Sequence, residues 1–270
     1  MKCFRFSLLV LLLLGPFLLQ AGHIIGGVLD YTCLGTGGTQ GTRRFSFTLR
    51  LYRDCNIPAN GIGQFDSAPN AAFTGTVSVY RSGRTTEFRN VRLDPPTVRV
   101  IPIETGNPCV VPPQGLCVEE ALYSFIISLP NDTSTYTISY QRCCRNTGTS
   151  NINSPGSTGI TLTVSLSPEA RSVCNNGPVF SQYPPAVICA GQPLMYDHSA
   201  READGDSLVY RFCAPWHGGG PNSTGSSGQT GTTGPAPDPD SPPPYDSVTY
   251  LAPQYTGSRP LPGITIDPES

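Results

Sequence analysis

The sequence predicts an all-β protein with two antiparallel β-sandwich units. Three observations lead to this fold class. Apolar and polar residues alternate in many short runs, and none of these runs has the 3.6-residue period of a helix. Its 29 glycines and 28 prolines place turns between these runs. Ten cysteines, nine of them beyond residue 22, indicate disulfide crosslinks in an exported chain.

The strands are predicted from the two-residue period of apolar side chains, which places one face in a core and the other in solvent. The clearest runs cover 45–51, 77–79, 123–129, 136–140 and 160–166. Shorter strands are expected at 28–34, 98–103, 187–189, 194–196, 208–212, 248–251 and 264–266. Many short strands joined by turns favour antiparallel sandwiches over a parallel sheet with crossover helices.

Residues 1–22 have the pattern of a signal peptide. Lys2 and Arg5 form a basic start, an apolar run covers 6–19, and small residues follow at the expected cleavage point. A membrane anchor is the alternative, but the run is shorter than the ~20 apolar residues of a transmembrane helix and contains Pro16. We therefore expect a secreted or cell-surface protein with no membrane span after cleavage.

The charge distribution argues against nucleic acid as a partner. The formal net charge is −2, and every basic residue after Lys2 is an arginine. Nucleic-acid binding requires a strong basic patch, which this composition does not provide. Residues 23–173 contain 12 arginines and 10 acidic residues, whereas residues 174–270 contain 3 and 9. The acidic second half therefore favours a cation.

We predict a disulfide-rich N-terminal sandwich over 23–172 and a second sandwich over 173–270. Within the second unit, 23 of the 32 residues over 214–245 are Gly, Pro, Ser or Thr. Such a segment buries too little apolar surface to offset its ordering entropy, so it is predicted to be a flexible insert.

Nine cysteines are expected to be mostly paired, and because nine is an odd number at least one has another fate. They are Cys33, Cys55, Cys109, Cys117, Cys143, Cys144, Cys174, Cys189 and Cys213. Spacing leaves the connectivity open, although Cys109 with Cys117 and Cys189 with Cys213 are two candidate pairs. Adjacent Cys143 and Cys144 point to opposite sides of an extended chain and should have different partners. Zinc ligation is the alternative, but repeated cysteine pairs with zinc-site spacing are absent.

The strongest candidate site is an acidic turn around Gly205. Calcium takes six to eight oxygen ligands and tolerates flexible geometry, so clustered carboxylates suit it. Asp204 and Asp206 are the leading calcium ligands, and Glu202 and Asp197 are weaker candidates. The alternative is an ordinary acidic β-turn without an ion.

No complete catalytic motif is recognisable, and the sequence predicts no enzyme. His23 begins a string similar to the amino terminus of an activated serine protease, but the other parts of that enzyme are missing. His23 with His198 or His217 is an alternative copper site. Glu119 and Glu120 are adjacent on a strand and face opposite sides, so they cannot easily act as one acid–base pair.

Several short motifs resemble the amino-terminal region of large secreted surface proteins of gliding-type Bacteroidota. They are HIIGG at 23–27, YTCLG at 31–35, LYRDC at 51–55, NPC at 107–109, CVEE at 117–120, YQRCCRN at 140–146 and PGSTG at 155–159. In the second unit, DHSA at 197–200 and DGDSLVY at 204–210 are similar to the calcium-binding turn of cadherin-like repeats. Glu202 stands where that family usually has Asp.

The resemblance implies a chain that continues into PKD-like or cadherin-like repeats and ends in a type IX secretion or gliding-motility sorting domain. It implies further that the sandwiches are of immunoglobulin or cadherin type, that residues 173–270 form a cadherin-like or PKD-like sandwich, and that this second unit is incomplete and lacks its last strands. It also implies calcium at the acidic turn. The function expected from these observations is a non-enzymatic module for adhesion or structural spacing, with an extracellular surface, matrix or further repeats as partners. The alternative is a carbohydrate-binding or sensing domain, for which Tyr52, Tyr80, Tyr183 and Trp216 are candidate sugar-stacking residues.

Overall fold

A computed structural model describes most of the chain. The described residues are 24–56, 64–69, 71, 74–103, 111, 114–142, 145–182, 185, 187–188, 191–218 and 242–269. The predicted leader and the middle of the predicted insert lie outside them. Within them, two antiparallel four-stranded sheets pack face to face, which confirms the all-β sandwich class.

The first sheet contains β1 (Ile24–Thr36), β2 (Thr42–Asp54), β5 (Thr97–Val100) and β6 (Val118–Pro130). Their order across the sheet is β1-β2-β6-β5. We call this sheet 1. β2 is paired with a neighbour on both sides along its whole length, so it forms the centre of the sheet.

Sheet 2 contains β3 (Thr76–Arg81), β4 (Glu87–Arg92), β7 (Tyr136–Arg142) and β8 (Ile160–Leu166). Their order is β4-β3-β7-β8. The chain passes between the two sheets after β2, β4 and β6. β4 was not predicted because its two apolar residues, Phe88 and Val91, are three positions apart, which removes the two-residue alternation.

The core lies between the inward faces of the two sheets. Phe45, Phe47, Leu49 and Leu51 of β2 are fully buried, as the alternation predicts. Because the side-chain period is two, a one-residue slip of β2 would expose all four, so this pattern fixes the register. The other strands add the remaining core residues, among them Val77, Val79, Ala121, Tyr123, Ile127, Leu129, Ile138 and Leu166.

One end of the core contains a buried ion pair between Asp66 and Arg142. The Tyr140 hydroxyl donates to Oδ2 of Asp66 at 2.6 Å, and the Tyr123 hydroxyl donates to the Asp66 backbone oxygen at 2.7 Å. Arg142 also donates to the backbone oxygen of Gln64 at 3.0 Å. Burial raises the pKa of Tyr140 well above its ordinary value. The YQRCCRN motif therefore contributes two members of a structural network that fixes the loop before β3.

A short helix, α1 (Pro168–Val173), lies at the predicted domain boundary, where no helix was expected. Ser167 caps it by accepting a hydrogen bond from the Ala170 backbone N–H, and Pro168 occupies the first turn, where its missing N–H has no cost. The fully buried Arg171 donates to backbone oxygens of residues 130, 132 and 166. The helix therefore joins the ends of β6 and β8.

The second sandwich predicted for 173–270 is not seen in the described part of that region. Its strands there are only β9 (Val179–Phe180) and β10 (Ala200–Arg201), which pair with each other. The strands predicted at 194–196, 208–212 and 264–266 are irregular, and residues 248–251 form only an isolated bridge from Tyr250. Their apolar side chains range from exposed, as at Leu194 and Val209, to buried, as at Val248. Within the described residues these runs do not pair into a second sheet. The boundary at 172–173 stays a prediction.

Both described ends of the predicted insert pack against the sandwich. Trp216 forms bridges with Thr161 of β8 and with Ser247. Thr161 also donates a hydrogen bond to the backbone oxygen of His217 at 3.0 Å. Residues 214–218 are therefore ordered against the edge of sheet 2, whereas a flexible segment was predicted for them.

Candidate functional site

Three of the four predicted calcium ligands lie together in the loop after β10. Potential ligand oxygens of Glu202, Asp204 and Asp206 lie within 4.8 Å of one another. Gly205 has a φ of 88°, a left-handed conformation that suits glycine and produces the sharp turn between the two aspartates. We call residues 202–206 the acidic loop.

Glu202 is the organising residue of the acidic loop. Its Oε2 accepts hydrogen bonds from the backbone N–H groups of Asp204, Gly205 and Asp206 at 2.7, 2.5 and 2.8 Å. Its Oε1 is buried and has no hydrogen-bond partner. Glu202 was predicted as a weaker ligand than Asp204 and Asp206, and its side chain is longer than that of Asp. That extra length lets it reach forward along the turn.

Two asparagines connect the acidic loop to the segment after α1. The backbone N–H and the side-chain amide of Asn176 donate to the two carboxylate oxygens of Asp204 at 2.6 and 2.9 Å. The side-chain amide of Asn175 donates to Oδ2 of Asp206 at 2.7 Å. Hydrogen bonds to carboxylates are the stronger kind, so the loop is held firmly on this side.

The same asparagines contact strand β1 through their amide oxygens. Asn176 Oδ1 accepts from the backbone N–H of Cys33 at 2.9 Å, and Asn175 Oδ1 accepts from the Tyr31 hydroxyl at 3.2 Å. The backbone N–H of Gly177 donates to the backbone carbonyl oxygen of Tyr31 at 3.0 Å. We call Asn175 and Asn176 the asparagine bridge, because each links β1 to the acidic loop.

A disulfide between Cys33 and Cys174 lies directly beside the asparagine bridge. Cys174 ends α1 in a left-handed conformation, and its Cα lies 5.3 Å from that of Cys33. The covalent bond and the asparagine bridge therefore attach the second half of the chain to the same stretch of β1.

The electrostatic field of the acidic loop reaches β1. Burial raises the pKa of Tyr31, and the negative charges of Asp204, Asp206 and Glu202 raise it further. A phenolate at this position would be repelled by three carboxylates, so Tyr31 stays protonated and donates to Asn175.

The acidic loop offers oxygen donors that suit calcium, which takes six to eight oxygen ligands. Four of its six carboxylate oxygens already accept hydrogen bonds from the asparagine bridge or from the loop backbone. The buried, unpartnered Oε1 of Glu202 is the atom that fits a cation best, because a buried acceptor without a partner is costly. Water would have to supply several of the remaining ligands.

Asp197 does not join this cluster. Its Oδ1 accepts a hydrogen bond from the Ser199 backbone N–H at 2.9 Å, an ordinary turn interaction. That bond lowers the pKa of Asp197 below its ordinary value. The structure therefore brings together three predicted ligands and leaves out the fourth.

The second disulfide joins Cys55 to Cys117. β2 ends at Asp54, which lies opposite Val118, where β6 begins. This register brings together the residues just beyond that pair, Cys55 and Cys117. The suggested pair of Cys109 with Cys117 is wrong for this reason.

Cys213 is exposed and forms no disulfide, so the suggested pair with Cys189 is also wrong. Cys109, Cys143, Cys144 and Cys189 lie outside the described residues. The two disulfides indicate an oxidising environment.

The adjacent acids Glu119 and Glu120 face opposite sides of β6, as predicted. Glu119 pairs with Arg53 on the core side, at 2.6 Å between Oε2 and Nη2. Glu120 lies on the outer face, where it pairs with Arg99 and accepts a hydrogen bond from the Tyr52 hydroxyl at 3.2 Å. Each carboxylate therefore has its own structural partner.

Sequence reasoning missed the asparagine bridge. The prediction placed a domain boundary at 172–173 and gave no role to the Asn-Asn-Gly string at 175–177, which is a typical turn sequence. That string was the available signal. It predicts a turn but gives no indication of its contacts with Cys33 and Asp204, which are distant in sequence.

Comparison with known proteins adds no family. No protein-family model, curated protein or solved structure matches the chain. Among the described residues, no helix has the length and apolar character needed to cross a membrane.

Proposed function

We propose that this chain is a non-enzymatic β-sandwich module of a secreted or cell-surface protein, used for adhesion or as a structural spacer. The observation that carries the proposal is the double attachment of the second half of the chain to β1. It consists of the Cys33–Cys174 disulfide and the asparagine bridge beside it. An extracellular module under load needs this kind of attachment, because it keeps neighbouring segments aligned.

The proposed mechanism is mechanical. Force applied beyond Cys174 enters the sandwich at the disulfide and passes into β1, which is paired with the central strand β2 over its length. Part of this force is transmitted to the ends of β6 and β8 by Arg171, which donates hydrogen bonds to three backbone carbonyls there. Arg43 of β2 also donates to the backbone oxygens of Arg171 and Ser172, at 3.0 and 2.9 Å.

The use of the charged groups supports a structural role. Asp66 pairs with Arg142 in the core, and Glu119 pairs with Arg53 at its edge. Buried charges that are paired and hydrogen bonded fix one arrangement of the chain around them. Further repeats of the same protein and an extracellular surface or matrix are the partners that we propose for this module.

Export and crosslinking are tested first. The protein, expressed with its own leader, is subjected to non-reducing peptide mass mapping. We expect a chain without Met1 and with linked peptides containing Cys33 with Cys174 and Cys55 with Cys117. Free thiols at all four positions on a chain that retains Met1 would contradict the proposal.

Adhesion and spacing are then separated in a flow chamber. Beads coated with the protein pass over mucin, fibronectin or collagen, with albumin-coated beads as the control. Retention above the control supports adhesion, whereas equal retention leaves spacing as the role.

Calcium is the second component of the proposal, and the buried Oε1 of Glu202 supports it. We expect millimolar calcium to raise the thermal unfolding temperature and magnesium to raise it less, because the site is irregular. E202Q should lose the calcium effect. D197N is the matched control, because Asp197 lies outside the cluster, and its calcium response should match that of the unmodified protein. An unchanged melting temperature in calcium removes this component.

A carbohydrate-binding role is the second candidate, and the aromatic pair of Trp216 and Tyr245 favours it. Trp216 is 40% exposed, and its ring centroid lies 6.4 Å from that of Tyr245. Of the other predicted stacking residues, Tyr80 is buried and Tyr52 is half-buried, whereas Tyr183 lies outside the described residues. A glycan array with the unmodified protein and W216A tests this role. Binding that W216A does not weaken, or no binding at all, argues against it.

A further inference from the structure

We propose that a cavity on the outer face of sheet 1 binds a small molecule with an apolar body and a single amine head. The cavity has a volume of about 410 Å³. This falls within the ~300–1,000 Å³ typical of small-molecule sites. It lies between the outer face of β1 and the segment that contains β9, so both halves of the chain contribute to it.

The cavity exists because of a glycine in β1. Gly26 lies opposite Tyr52 in the strand pairing, and a Cβ built on it would meet nothing within 4 Å. Its neighbour Gly27 differs, because a Cβ there would lie 2.5 Å from the Arg50 backbone oxygen. The missing side chain at Gly26 therefore leaves open space in front of Tyr52.

The walls of the cavity are mainly apolar and come from separate parts of the chain. Val28 lies on β1, Val118 on β6 and Phe180 on β9. The His198 ring stacks on Phe180 with ring centroids 4.3 Å apart and an interplanar angle of 15°. These side chains suit the flat or aliphatic body of a small ligand, since apolar surfaces with few polar groups are typical of such sites.

Asp30 determines the chemistry of the head group. It follows Gly26 and Val28 at two-residue spacing, and it is the one acidic residue among the described residues that line the cavity. An anionic head group placed there would be repelled by the Asp30 carboxylate. Burial raises the pKa of Asp30, and the charge of Arg50 opposes this. A carboxylate in apolar surroundings is stabilised by an ammonium group that donates to it.

The test compares three probes of similar size, namely phenethylamine, 2-phenylethanol and 3-phenylpropionate, by isothermal titration and by amide chemical shifts. We expect phenethylamine to bind about tenfold more tightly than the alcohol, the ratio that one charge-assisted hydrogen bond supplies. The propionate should bind most weakly. Binding of the propionate as tightly as the amine, or no binding of phenethylamine, overturns the proposal.

Three variants locate the binding. G26L fills the cavity from an open position and should abolish binding of phenethylamine and of the alcohol. D30N is nearly isosteric and should bind the two probes equally, which keeps the proposal testable if G26L folds poorly. I126A is the control, because Ile126 is 50% exposed on the same face and does not line the cavity. Unchanged amine binding in folded G26L, or an unchanged amine preference in D30N, would refute the assignment.

Discussion

Pulling on the two ends of the chain should reveal the nested arrangement of its two disulfides. Cys33 and Cys174 are 141 residues apart, and the Cys55–Cys117 pair, 62 residues apart, lies within that interval. While the outer disulfide is intact, none of the enclosed chain can extend. An extended residue spans about 3.5 Å, so loss of both disulfides should release about 490 Å of chain from the 141 residues.

Removal of one disulfide at a time gives two different lengths. C33S/C174S keeps the inner loop closed and frees 141 less 62, or 79, residues, which corresponds to about 280 Å. C55S/C117S keeps the outer loop closed and should release no additional chain. One variant therefore releases additional chain and the other releases none.

Single-molecule force spectroscopy on a tandem protein measures these lengths directly. The comparison uses a background in which the other cysteines are replaced by serine, so that only the two disulfides contribute. Those replaced are Cys109, Cys143, Cys144, Cys189 and Cys213. Equal release from C33S/C174S and C55S/C117S, or no release from C33S/C174S, would refute the nested pairing and the mechanical role that depends on it.

Three further predictions concern stability. D66N should lower the unfolding free energy by about 3–5 kcal/mol in chemical denaturation, because it leaves a buried arginine without its anion; a loss below about 1 kcal/mol would count against the buried pair. N176A keeps the backbone hydrogen bond to Asp204 but removes the side-chain bonds to Asp204 and Cys33, so it should cost about 1–3 kcal/mol and speed amide exchange in the acidic loop; unchanged exchange there would show that the bridge does not hold it. The pKa of Asp132 is lowered, since hydrogen bonds from Ser134 and Tyr136 outweigh its desolvation. The stabilisation that the ionised Asp132 provides is therefore present above the unfolded pKa of about 3.9 and lost at lower pH. D132N should lack this loss, and acid unfolding curves that coincide for D132N and the unmodified protein would contradict the prediction.

The sandwich could be predicted because its signal is local. The alternation over 45–51 already states which face of β2 is buried, and the structure places those four apolar residues in the core. β4 gave no such signal, because its two apolar residues, Phe88 and Val91, are three positions apart and do not alternate. In the second half of the chain, apolar runs such as 208–212 have the same sequence pattern as the runs that form strands in the sandwich. Nothing local indicates whether a partner strand exists.

The candidate site was predicted only in part, for the same physical reason. Glu202, Asp204 and Asp206 are near neighbours in sequence, so their clustering is visible from the chain alone. The contact of Asn176 with Cys33 spans 143 residues, and it depends on how α1 and β1 pack. The pairing of Cys55 with Cys117 likewise depends on strand register, which cysteine spacing does not reveal.

The position of the asparagine bridge explains why the acidic loop and β1 should respond together. Asn176 donates two hydrogen bonds to Asp204 and accepts one from the Cys33 backbone, so the loop cannot shift without disturbing the strand. The adjacent disulfide holds that strand and the end of α1 at a fixed spacing. An ion bound at Glu202 would stabilise the acidic loop, which is attached to β1 through hydrogen bonds and not through a covalent bond. The disulfide and the acidic loop are therefore complementary: one limits separation of the two segments, and the other limits their rotation about the crosslink.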